Sequence, residues 1–146
     1  MTISSAICNS FKQELLVGTH NFTASSGNTF KIALYQSDAS LGAGTTAYST
    51  SEEITNTSGS AYTAKGKALT SVTPVASSTT AVCDFADISW TSASFTARGC
   101  MIFNDSASGD PSVCCIDFGG DKTATNGTFT IQFPTADSSD AIIRIA

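Results

Sequence analysis

Histidine, cysteine and paired carboxylates are the side chains from which site chemistry is most often built, and this chain spaces them so that few arrangements remain open. The only histidine is His20, in a polar stretch directly after a helical segment. A nucleophilic site needs the imidazole within hydrogen-bond reach of a serine or cysteine. The chain has no G-x-S-x-G elbow and no cysteine in a comparable context, so His20 is expected to be a solvated turn residue. The five cysteines cannot all pair internally. Cys8 falls on the helical stripe, Cys83 and Cys100 fall in strand patterns, and Cys114 and Cys115 are adjacent. Zinc asks for cysteine or histidine pairs at knuckle or helical spacing, whereas adjacent residues of a strand point to opposite faces. Free buried thiols made in a reducing compartment are the expectation, with no metal and no cofactor.

The carboxylates give no sharper signal. Asn104-Asp105 with Asp110, or Asp137 with Asp140, could face a calcium ion, yet neither follows a known calcium-loop spacing, and turn capping accounts for them. A glycosidase pair can come from any two strands, but Asp84, Asp87, Asp117 and Asp121 sit at strand ends where turn chemistry suffices. Gly42-Ala43-Gly44 is not followed by a helix and so is no phosphate cradle. No catalytic residues are assigned, and the chain is read as a non-enzyme.

Composition narrows the classes further. At 146 residues the chain is long enough for one domain, 1–146, with its own core. Charged residues make up 13%, about half the usual share, so Ser, Thr, Asn and Gly must supply the polar surface. The net charge is −5, and Lys12, Lys31, Lys65, Lys67, Lys122, Arg98 and Arg144 are scattered singly. Nucleic-acid binding needs a concentrated basic face, which this distribution does not provide. No apolar run approaches the roughly 20 residues that span a bilayer, so no membrane partner is expected. MTISSAICNSFKQELL lacks a basic start followed by an apolar core, so no secretory leader is expected. The Asn-x-Ser/Thr matches at Asn21, Asn56, Asn104 and Asn126 then carry little weight.

These residues must be positioned by strands and by one helix. Between Thr2 and Phe22, the residues Ile3, Ile7, Cys8, Phe11 and Leu15 fall on one side at 100° per residue, opposite Asn9, Lys12 and Gln13. A helix from about Ser5 to Val17 is predicted, capped by Ser4 or Ser5 and closed by Gly18, with the N-terminal arm and helix occupying about 1–18. So short a helix is marginal alone, so its stripe must dock on a sheet of the same chain, on a second subunit, or on both.

The remainder alternates as strands do. Thr29–Tyr35 places Phe30, Ile32 and Leu34 on one face. Gln36–Ser60 is a long polar excursion anchored by Leu41, Tyr48 and Ile54. Lys67–Val75 reads as an edge-tolerant strand because Pro74 removes a donor, and Thr79–Phe85 as its partner. A turn is predicted over Phe85–Trp90. Strands follow at Ser94–Asn104, with a bulge or close backbone approach at Gly99, at Val113–Phe118, at Thr128–Phe133 and at Ala141–Ala146. A turn is predicted over Gly119–Gly127. Seven or eight short strands without intervening helices predict a mainly β, antiparallel β-sandwich with one N-terminal α-helix. A jelly-roll-like topology is preferred, because Cys83, Trp90 and Cys100 do not reproduce the immunoglobulin spacing.

The segments ISSAICNSFKQELLVGTHNF, GNTFKIALYQSDASLGAGTTAYST and GTFTIQFPTADSSDAIIRIA together resemble small structural proteins of tailed bacteriophages. The resemblance covers nearly the whole chain and rests on no catalytic motif. It implies a virion component assembled in the host cytoplasm, foremost a capsid cement or decoration protein bound to the major capsid protein or other virion proteins. Dimers or trimers at lattice symmetry axes would follow, with multivalency adding weak contacts. The expected assembly contact is the N-terminal stripe with the long loop: Ile3, Ile7, Phe11, Leu15, Leu41 and Tyr48. Two other readings are a tail, collar or fibre-associated protein and, in a different class, a carbohydrate-binding module using Tyr35, Tyr48, Tyr62 or Trp90 as platforms.

Overall fold

A computed structural model describes residues 2–55 and 57–146; Asn56, one of the four Asn-x-Ser/Thr positions, lies outside them. The described elements are β1 (Ala6–Ile7), α1 (Asn9–Leu16), β2 (Phe30–Tyr35), β3 (Lys67–Ala68), β4 (Ser71–Ser77), β5 (Thr80–Phe85), β6 (Ile88–Asn104), β7 (Ser112–Ile131) and β8 (Ile143–Ile145). Their strand pairings are antiparallel. One sheet has the order β1-β7-β6-β2-β3 and the other β4-β5-β8. The result is mainly β, with two sheets in a sandwich-like arrangement and one short helix near the N-terminus. At the level of topology, the structure establishes the five-plus-three strand order and does not confirm the jelly-roll preference.

Aromatic side chains join the two sheets. Phe30 of β2 stacks on Phe22 with ring centroids 4.2 Å apart, and Phe85 of β5 lies 6.0 Å from Phe30. Trp90 of β6 packs edge-on to Phe95 and Phe129 and is fully buried. Burying side chains of this size supplies most of the favourable free energy of such a core.

The helix differs from its prediction at the start. It begins at Asn9, after Cys8 in an extended conformation and without a side-chain cap, because Ala6 and Ile7 pair with Cys115 and Cys114 at the outer edge of β7. Ser5, predicted to cap the helix, instead accepts the Asp117 N–H through Oγ at 2.9 Å. Ile3 bridges to Leu41. The open edge of β7 satisfies backbone groups that one more helical turn would have left to intrahelical bonds, and β-branched Ile3 and Ile7 suit that extended state. The end agrees with its prediction. Gly18 has φ +78°, its N–H bonds the Leu15 carbonyl at 3.2 Å, and the Thr19 N–H bonds that of Glu14 at 2.9 Å, which is a Schellman closure.

The two predicted turns over Phe85–Trp90 and Gly119–Gly127 largely give way to strand. β6 and β7 run as one long bent ribbon with register shifts beside Ala93, Ala97 and Ile102. Between the pairs Ala97↔Lys122 and Gly99↔Asp117, a two-residue step of β6 faces the longer excursion from Asp117 to Lys122. The turn-forming glycines therefore sit inside a bulge instead of separating two strands. Gly99 bears out its predicted close approach. A Cβ there would lie 2.5 Å from the Ile116 carbonyl oxygen and 2.9 Å from Ile3 Cδ1. Pro74 lies at a register shift in β4, an edge strand, as its missing donor requires. β2 is covered on both faces, with Ile32, Ala33, Leu34 and Tyr35 all fully buried, where alternation had suggested a single core face.

Candidate functional site

The bent ribbon creates a broad concavity. Where β7 curves, Ile116 and Phe118 face Phe129, Ile131, Phe133 and Ile142 across an apolar trough of about 540 Å³, a volume in the range of ligand-binding clefts. Phe118 and Phe129 ring centroids are 6.2 Å apart. Five of these six side chains are only half-buried. Thr123, Thr128 and Thr130 add hydroxyls, and Lys122 is the trough's one charged lining residue. Among the described residues Lys122 makes no ion pair; the basic groups that do are His20, Lys31, Lys65 and Arg98. Sequence reading missed this site because its apolar residues were divided among three predicted strands, Val113–Phe118, Thr128–Phe133 and Ala141–Ala146, with turns between them.

His20 is not a solvated turn residue. Its side chain has no exposed surface and packs against Phe11, with ring centroids 4.9 Å apart. Nε2 lies 3.0 Å from Glu14 Oε2, and Nδ1 lies 3.1 Å from Asn104 Nδ2. Asn104 Oδ1 already accepts the Ser106 and Ala107 N–H groups, so its amide nitrogen must face the ring. Burial lowers the His20 pKa, and Glu14 partly opposes that shift. The imidazole thus joins the helix end to the end of β6 and is not presented to a substrate.

A second polar hub pins the long loop. Glu53 is buried and accepts the Tyr48 and Tyr62 hydroxyls at 2.6 Å each and the Lys65 N–H at 2.8 Å. Tyr62 Oη in turn accepts the Leu34 N–H at 3.0 Å. The Lys65 ammonium lies 3.0 Å from Asp105 and 2.8 Å from Asp110, filling the space between carboxylates that the sequence offered to calcium. Around the hub, Glu52, Ala61, Lys65 and Asp110 all have positive φ, strain of a kind that tightly packed surroundings maintain.

Burial within the chain already occupies much of the expected assembly contact. Ile3, Phe11 and Leu41 are at most 8% exposed, and Ile7, Leu15 and Tyr48 are half-buried against the core. The stripe is consumed inside the chain because the arm adds to the edge of β7 and the helix lies on Phe22 and His20. The exposed apolar residues at this end are Leu16 and Val17, 90% and 66% exposed. The carbohydrate platforms fare similarly: Tyr35, Tyr62 and Trp90 are buried, and Tyr48 stacks on Phe103 at 4.8 Å.

The five thiols are free. Cys8 directly follows β1 and its Sγ donates to the Gly42 carbonyl; the influence of the Cys115 thiol pulls Cys8 down to about 7 while Cys115 moves up. Burial pushes Cys83 up to about 11 and Cys114 up to about 12. Of the acids, Asp117 pairs with Arg98 at 2.9 Å, Asp87 accepts the Phe133 N–H, and Asp137 caps Ser139 and Asp140 as turn chemistry predicts. Comparison with protein-family models, curated proteins and solved structures gives no match.

Proposed function

We propose that this protein is a non-enzymatic structural component of a tailed-phage virion, a cement or decoration protein that binds the major capsid protein and reinforces the head. The observation that carries the reading is how the groups with chemical potential are used. His20 and Glu53 both spend their hydrogen-bonding capacity on fastening the helix and the long loop to the sheets, which is the work of a rigid scaffold. Leu16 and Val17 at the helix end and the half-buried lining of the trough leave apolar surface outward, as a docking protein requires. The sequence resemblance points to the same class. Many copies on one shell would add modest contacts through multivalency, and self-association as dimers or trimers would match lattice axes.

Purified protein added to expanded capsids of the phage that encodes it should bind saturably and raise the temperature at which those heads release DNA. Recovery of the protein on isolated tails or collars, with none on heads, would overturn the cement assignment.

A further inference from the structure

The outer edge of β7 is only partly occupied. On the side away from β6, β1 covers Cys114 and Cys115, and Ser5 Oγ satisfies the Asp117 N–H. From Lys122 to Ile131, no described strand pairs with that edge, and most of these residues are exposed. The apolar trough is lined by residues of this same stretch, Lys122 among them, together with Phe133 and Ile142. An open strand edge, an apolar trough beside it and a cation that makes no ion pair among the described residues are three complementary demands on one occupant.

We infer that the β7 edge and its trough form a β-addition site for an extended protein segment, apolar at alternate positions and carrying one carboxylate for Lys122. The inference deepens the assembly reading and rests on it for the kind of partner, a protein strand. Main-chain bonds to the edge would supply affinity, and the trough and Lys122 would select the sequence. The chain's own arm already uses this geometry, since β1 adds to the same edge of β7, and the added strand would continue that line beyond the bulge at Gly119. Charge complementarity sets the sign. In a chain of net charge −5, the one charged group of the trough is cationic, so an acidic residue is attracted and a basic one repelled. The open stretch from Lys122 to Ile131 is ten residues long, enough for one added strand.

The test uses fluorescein-labelled nine-residue peptides that alternate leucine and threonine and carry glutamate or lysine at a single scanned position, with dodecanoate as a small amphiphile. The glutamate series should bind saturably, with one preferred position. Lys122→Glu should weaken that peptide about tenfold and bind the matching lysine peptide better than the wild type does. Equal binding of both series, no saturable binding by any peptide, or saturation by dodecanoate alone would overturn the inference. Capsid binding separates this from the assembly reading. Full capsid affinity in Lys122→Glu removes the trough as the contact and leaves the cement reading standing, whereas peptide selectivity without capsid binding does the reverse.

Discussion

His20 Nδ1 faces the side-chain nitrogen of Asn104 at 3.1 Å, which makes that ring nitrogen an acceptor and leaves Nε2–H to donate to Glu14. Protonating the ring would set two donors against each other at Asn104, whose oxygen is held by two backbone N–H groups. The neutral imidazole is therefore the form the fold selects.

A pH dependence follows with a definite sign. The folded pKa of His20 lies below its ordinary 6.5 because of burial, so the unfolded chain takes up the proton first. Stability is complete above about pH 6.5 and declines as pH falls from there towards the folded pKa. Urea midpoints measured from pH 8 to 5 should fall in the wild type and stay flatter in His20→Gln. Parallel profiles would show that the imidazole does not titrate differently in the two states.

Phe11 and Leu16 lie on one helix but differ in burial. Phe11 is 1% exposed and packs edge-on to Phe22, so Phe11→Asp should cost more than about 4 kcal/mol and leave the chain unfolded. Leu16 is 90% exposed, so Leu16→Asp should change stability by no more than about 0.5 kcal/mol. Circular dichroism melts distinguish the two. A folded Phe11→Asp would contradict its place in the core.

Glu53 ties two phenols to the loop. Burial raises the pKa of all three tyrosines, Tyr35, Tyr48 and Tyr62, and hydrogen bonds to Glu53 add to the shift at Tyr48 and Tyr62. Absorbance at 295 nm should therefore show no phenolate step near pH 10 while the protein stays folded. Glu53→Gln leaves one hydroxyl without its acceptor and should destabilise by roughly 2–3 kcal/mol. A tyrosine titrating normally in the native protein would mean that the hub is open to solvent.

Gly66 and Gly109 share a left-handed conformation but not a neighbourhood. A Cβ on Gly66 (φ +68°) would overlap the Ile32 carbonyl oxygen, whereas one on Gly109 (φ +82°) meets nothing within 4 Å. Gly109→Ala should cost about 1 kcal/mol from conformation alone. Gly66→Ala should cost at least roughly 3 kcal/mol, because the β2–β3 pairing must also move. Equal losses in thermal unfolding would show that the Ile32 backbone yields freely.

Local chemistry alone determined several features of this protein. The closure of the helix at Gly18, the strand Phe30–Tyr35, the pairing of Thr80–Phe85 with the Pro74 strand, the close approach at Gly99 and the turn capping by Asp137 all depend on a few neighbouring residues. Alternation, a missing donor and the conformational freedom of glycine act at that range, so the antiparallel two-sheet class could be read from them. Tertiary structure decided the rest. Whether Ser5, Ala6 and Ile7 enter the helix or the sheet depends on β7 offering an unpaired edge over a hundred residues away. Whether Gly119–Gly127 turns the chain or bulges within it depends on β6 running alongside. The burial of His20 required Asn104, the loop lock required Glu53 to meet Tyr62 and Lys65, and the trough exists only because a bent ribbon brings Phe118 against Phe129. Each of these is a competition between local preference and a distant partner, and periodicity carries no information about the partner.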